Sequence, residues 1–220
     1  MDGTGLLFQE MTKVLPHDLD IVVISLDELA DLTYAKQAQE IAEQLGSQKV
    51  FLVAESYSGP ISYALCSLLG NRVRGLVFIA SFISSPSTLS KLAFLFPVSL
   101  LKPNRINKWL LNKIGFSGFG NDTIIQQVFY AVSLADNRKL KRRLKNIATI
   151  KMGTQSYNLP TTYIRPTKDL LVKYNACQDI RKLFSNTTII EIQGGHFIAQ
   201  SHPVQCANII KYAIDDRETL

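Results

Sequence analysis

Three features of this 220-residue sequence predict an α/β fold, a mostly parallel sheet flanked by helices with a helical cap inserted into it. Continuous apolar runs alternate with helix-spaced segments through the first 81 residues, the pattern of strands covered on both faces. That alternation stops between residues 82 and 158 and resumes from 159 to the end. The apolar run Lys49-Val50-Phe51-Leu52-Val53-Ala54 breaks sharply at Glu55-Ser56-Tyr57-Ser58-Gly59-Pro60, which reads as strand, tight turn and helix. The expected organisation is therefore one core from residues 1–81 and 159–220, with 82–158 as the cap.

The elements follow in order. Met1-Asp2-Gly3-Thr4-Gly5 is a glycine loop, followed by a helix-like stretch through Val14 and a break at Pro16-His17-Asp18. Asp20 to Leu26 is a continuous apolar run, expected to be a buried parallel strand. Tyr34 to Leu45 has helical spacing and stops at Gly46, a C′ glycine. After the Lys49–Ala54 strand comes a helix from Pro60 to Leu69, closed by Gly70, and then the strand Gly75–Ala80. The inserted segment carries Pro86, Pro97 and Pro103, the apolar stretch Leu92–Leu101, Trp109 and three glycines, and becomes helical from Asp122 to Ile150. Pro160–Arg165 and Thr187–Ile192 are the remaining strands, and Pro203–Ile214 is a closing amphipathic helix.

Composition narrows the class. Hydrophobic content of 46% with 19% charged residues is ordinary for a folded α/β domain. No stretch reaches the roughly 18 apolar residues of a membrane span, and the N-terminus has no basic n-region of a secretory signal. Cys66, Cys177 and Cys206 have no metal-like spacing and read as reduced, buried thiols of a cytoplasmic protein. No ligand-spaced cluster implies a metal or organic cofactor.

The chemistry converges on Ser56. A serine hydroxyl is a weak nucleophile until a base takes its proton, and the base needs a carboxylate to orient it. Small residues at Ala54 and Ser58, with Gly59 next, leave room for the strained turn of a nucleophile elbow, although the usual G-x-S-x-G has become A-x-S-x-S-G. Of the three histidines, His17 precedes the first strand and His202 sits at the start of the last helix. His196 follows the last strand in Gln193-Gly194-Gly195-His196-Phe197, where two glycines let the loop carry an imidazole over the sheet edge. Asp169 leaves the carboxyl end of the Pro160–Arg165 strand, where parallel sheets place functional groups. Asp179, in a following helix, and Glu191, inside a strand, are the weaker carboxylates.

With the order Ser56, Asp169, His196 established, the chain resembles the α/β-hydrolases, whose triad runs in this order, over essentially its whole length. The resemblance implies a serine esterase or thioesterase acting on a small ester or thioester with a hydrophobic acyl part. It also implies an oxyanion hole from the backbone N–H groups of Tyr57, after the nucleophile, and Thr4, in the glycine loop. In the family a strand feeding that loop lies between those assigned here to Asp20–Leu26 and Lys49–Ala54, and two more precede it. No residues of this sequence correspond to them, so the usual N-terminal strands are lacking: a start upstream of Met1 is expected, the alternatives being a sheet rearranged to close the gap or a partner that fills it, and intact mass of the natural protein tests it. The alternative class is a non-catalytic α/β-hydrolase-like binding or interaction protein. Haloperoxidase-like or carbon–carbon bond chemistry uses the same residues.

The net charge of +6 is concentrated in residues 91–151, with six basic residues among the eight from Arg138 to Lys145. Arg138, Lys141, Arg142 and Lys145 share one helical face. Such a face is ordinarily solvated; as a docking surface it suits an acidic carrier protein, a coenzyme A phosphate or a membrane surface. Nucleic acid is disfavoured, because no aromatic platform accompanies the charge. Leu92–Leu101 and Phe116–Phe119 are expected either to line a hydrophobic channel or to pack the cap on the core.

Overall fold

A computed structural model describes residues 2–30, 32–86 and 102–218. Four strands, β1 (Val50–Glu55), β2 (Val73–Ile79), β3 (Thr161–Pro166) and β4 (Thr187–Ile192), form one parallel sheet in the order β1-β2-β3-β4. The strands are short and apolar on both faces because both faces are covered. Alternate residues of β2 divide between the two layers. Leu76 and Phe78 join a core with Ala54 of β1, Ala38 and Ile41 of α2 (Tyr34–Leu45), Ile61 and Leu65 of α3 (Gly59–Leu69), and Ile180 and Leu183 of α7 (Tyr174–Leu183). Val77 and Ile79 face Met11 of α1 (Gln9–Thr12), Ile198 of α8 (Ile198–Ser201) and Cys206 and Ile210 of α9 (Pro203–Glu218).

Local signals set the helix ends. Thr33 caps α2 by accepting the Lys36 N–H, and Gly46 and Gly70 close α2 and α3 at positive φ, where a Cβ is strained. Between β2 and β3 lie α4 (Arg105–Leu110), a π-helical turn (Leu111–Gly115), α5 (Asp122–Leu134) and α6 (Asn137–Thr149). Asn104, Asn121 and Asp136 cap these three helices with their side chains. Phe116, Ile125, Val128 and Phe129 form a small core of their own, against which Leu7 and Phe197 pack. The Leu92–Leu101 stretch lies outside the described residues.

One expected strand is absent. Asp20 to Ser25 has no ladder partner among the described residues, and Ile21, Val22 and Val23 are exposed. An apolar run becomes a strand only where another backbone pairs with its N–H and C=O groups, and among the described residues β1 has a ladder with β2 alone. Segment 20–26 instead runs beside the glycine loop: the Asp27 N–H donates to Gly3 O at 3.1 Å and Ser25 Oγ to the same carbonyl at 3.3 Å.

Candidate active site at the carboxyl edge of the sheet

Ser56 sits in a single 3-10 turn between β1 and α3 with φ 50. A non-glycine residue in that region is uncommon and costs on the order of 1–3 kcal/mol, so its surroundings must hold it. They do so by close packing. A Cβ on Gly59 would overlap the Phe82 carbonyl and the Ser81 hydroxyl, so the position directly after Ser58 needs glycine. The Ser81 hydroxyl donates to the Ser56 carbonyl at 2.8 Å, and Tyr163 Oη donates to the Ser81 carbonyl at 2.8 Å. Ser81 lies two residues beyond the end of β2, and that place at a strand's carboxyl end is the sequence signal for it.

The side chains of Ser56, His196 and Asp169 meet. His196 Nε2 lies 2.9 Å from Ser56 Oγ, and its Nδ1 lies 2.9 Å from Asp169 Oδ2. A carboxylate only accepts, so Nδ1 carries the proton and Nε2 is left to accept from the serine. Asp169 is oriented in turn, its Oδ1 accepting the N–H groups of Leu171 and Val172 at 2.8 and 2.9 Å. His196 is 7% exposed. Burial opposes its protonation, but the charge and hydrogen bond of Asp169, with Glu55 adding, carry the imidazole above its ordinary value. Burial in turn pushes Glu55 up, against the hydrogen bond from Gln200 Nε2 at 3.1 Å.

The other candidates are occupied elsewhere. His17 is exposed, and His202 lies 2.9 Å from the hydroxyl of Ser201. Asp179 accepts from Ser84 and Lys182, and Glu191 pairs with Arg165 at 2.7 Å. Gly195 earns its place in the histidine loop by contact: a Cβ there would enter the backbone of Gly115 and Phe116 at the end of the π-helical turn. Phe197 N–H donates to Gly115 O at 3.2 Å, and its ring stacks on Phe116 at 4.9 Å. Phe116 is thus fully buried as packing for the histidine loop, not lining for a channel.

The oxyanion candidates have different surroundings. Tyr57 is fully buried, its ring 4.9 Å from that of Tyr34 and its hydroxyl accepting from Asn146 Nδ2 of α6 at 2.9 Å. The Thr4 N–H already has an acceptor, Asp2 Oδ2 at 2.9 Å, which also takes the Thr4 hydroxyl at 2.7 Å. Among the described residues no group of three or more His, Cys, Asp and Glu side chains is arranged to hold a metal, and no helix is long and apolar enough to cross a membrane. The three cysteines are buried and unpaired with one another.

With strand order, elbow and carboxyl-edge loops all in place, the chain has the α/β-hydrolase fold. Solved structures of that fold match it over nearly its full length. An esterase from Exiguobacterium antarcticum matches with TM-score 0.77 at 13% identity, covering 96% of this chain and 88% of that one. A bromoperoxidase from Bacillus anthracis matches with TM-score 0.72 at 13% identity and the same coverage. An esterase from Thermogutta terrifontis matches with TM-score 0.70 at 11% identity, covering 97% of this chain and 86% of that one. No protein-family model and no curated protein sequence matches the chain.

Proposed function

We propose that the protein is a serine hydrolase cleaving a carboxylic ester or thioester with a hydrophobic acyl part. The observation that carries this reading is the continuous hydrogen-bonded line from Ser56 through His196 to the doubly held Asp169, with the serine on a strained turn. In this mechanism Ser56 Oγ attacks the carbonyl carbon as its proton passes to His196 Nε2. Asp169 stabilises the imidazolium, which then protonates the departing alcohol or thiol. Water, deprotonated by His196, releases the acyl group and restores Ser56. The Tyr57 and Thr4 N–H groups are the proposed oxyanion donors, and Thr4 serves only when Asp2 shares or yields its amide. The esterases among the structures of this fold favour ester chemistry.

The Asp2–Thr4 hydrogen bond favours the second reading, a non-catalytic binding protein, because it occupies an amide that an oxyanion would need. As for partners, the four exposed bases Arg138, Lys141, Arg142 and Lys145 form the only part of the 138–145 cluster proposed here for an acidic carrier protein. A fluorophosphonate probe, read by intact mass, tests the function. The hydrolase reading expects one adduct on the parent and none on Ser56→Ala, with hydrolysis of p-nitrophenyl acyl esters lost in the same variant. A folded parent that takes no adduct and cleaves no ester would leave the binding-protein reading.

A further inference from the structure

Arg143 lies within the most basic stretch of the chain, yet it is 1% exposed. With Lys139 one turn earlier it occupies the inward face of α6, beside Leu140, Leu144 and Ile147. A guanidinium is tolerated out of water only where its N–H groups and charge are matched, and here the match is to the N-terminal segment. Nη1 donates to the Asp2 carbonyl at 2.6 Å, and Nη2 pairs with the Asp27 carboxylate. The planar group lies against Gly3, where a Cβ would overlap Cζ and both terminal nitrogens; Gly3 also has φ 86. Lys139 Nζ donates to the carbonyls of Asp27 and Leu29, at 2.5 and 2.8 Å, and the Asp136 N–H to Asp27 Oδ2 at 3.2 Å.

These contacts matter because residues 2–5 and 20–27 belong to no strand. They are joined to each other by the bonds to Gly3 O and by packing of Val23 on Gly5, and side chains of α6 hold both from the other side. One turn beyond Arg143, Asn146 reaches Tyr57. Helix α6 therefore contacts the neighbourhoods of both proposed oxyanion residues, the glycine loop at its backbone and Tyr57 at its ring hydroxyl.

We propose that Arg143 is a positioning residue: it clamps the Asp2–Gly5 loop at the site and couples the loop's geometry to the seating of the helical insertion. This rests on the serine hydrolase reading above. The planar fork is what the task requires, because it meets a carbonyl and a carboxylate at once while lying flat on a glycine. Arg143 touches no reacting atom, so its removal alters the transition state more than substrate binding.

The test compares the full chain with Arg143→Met, Arg143→Lys, Asp27→Asn and, as an exposed control on the same helix, Thr149→Ala. The substrate is p-nitrophenyl butyrate, and kcat is referred to folded protein measured by near-ultraviolet circular dichroism. Arg143→Met is expected to lose about 100-fold in kcat, the size of losing one oxyanion donor, with KM little changed and Ser56 labelling slowed in parallel. Arg143→Lys recovers part of the loss, Asp27→Asn shows a smaller loss of the same kind, and Thr149→Ala matches the parent. A merely structural arginine would lower Tm while kcat per folded molecule stayed at the parental value; that result overturns the proposal. If Arg143→Met does not fold, Asp27→Asn decides, and parental kcat in that variant overturns the proposal equally. A parent with no Ser56-dependent hydrolysis overturns the proposal too, and the parent against Ser56→Ala identifies that failure as one of the function.

Discussion

Ile21-Val22-Val23-Ile24 and Leu76-Val77-Phe78-Ile79 are runs of similar hydrophobic character, but they occupy opposite situations. The second lies mid-sheet with all four residues at 0% exposure, whereas Val22 is 61% exposed. Backbone partners account for the difference, since β2 is hydrogen-bonded to β1 on one side and β3 on the other and the first run has no ladder. The contrast extends to the site. The Asp169 and His196 loops spring from the ends of paired strands, while the glycine loop is held by side chains of α6 and by Gln200, which donates to Leu7 O at 3.3 Å. Two parts of one candidate site thus depend on different forces, and each can be perturbed separately.

The largest effect is expected on the ladder-held side. In Asp169→Asn the new Oδ1 still accepts from Leu171 and Val172, so the loop keeps its shape. The imidazole loses its charged partner and its tautomer, and kcat should fall about 10⁴-fold, or about 5 kcal/mol. Activity near the parental level in a folded Asp169→Asn would break the assignment of Asp169. Next comes the core of β2: Leu76→Ala should cost about 2–5 kcal/mol in urea unfolding, because a rigid, two-sided layer cannot close on the cavity. A loss within half a kcal/mol would mean that the sheet is not packed on both faces.

Glu55, at the end of β1, joins the two sides, because the Gln200 amide that holds it also binds Leu7. His196 must be neutral to accept the serine proton, so activity is present above its pKa and lost as pH falls through it. With that pKa raised by Asp169 and Glu55, the acid limb of kcat/KM should lie above the ordinary value of about 6.5. Glu55→Gln removes one negative charge and should move the limb to lower pH; an unmoved limb would assign the shift to Asp169 alone. The smallest effect belongs to Val22→Ser, which should change stability by no more than about 0.5 kcal/mol, as exposed substitutions do. A cost of several kcal/mol there would show the run to be covered in solution and would erase the contrast with β2.

Much of this was legible in the residues themselves. Four of the five expected strands, the ends of α2 and α3 at glycines, and the order of Ser56, Asp169 and His196 followed from local rules: apolar runs, turn residues and the carboxyl ends of strands. Local rules failed at Asp20–Leu26, because a ladder is a relation between two segments, and no run carries the record of its partner. They also treated Arg138–Lys145 as one charged face. Helical spacing put Arg138, Lys141, Arg142 and Lys145 on one side, but only the packing of α6 revealed that Lys139 and Arg143 turn inward to Asp27 and Gly3. The sequence by itself determined the glycine-closed helix ends, the elbow turn and four of the five expected strands, since those preferences act over a few residues. The tertiary structure alone decided which glycines are crowded, which bases are buried and which amide Asp2 occupies, because those depend on atoms from segments distant in sequence sharing one space.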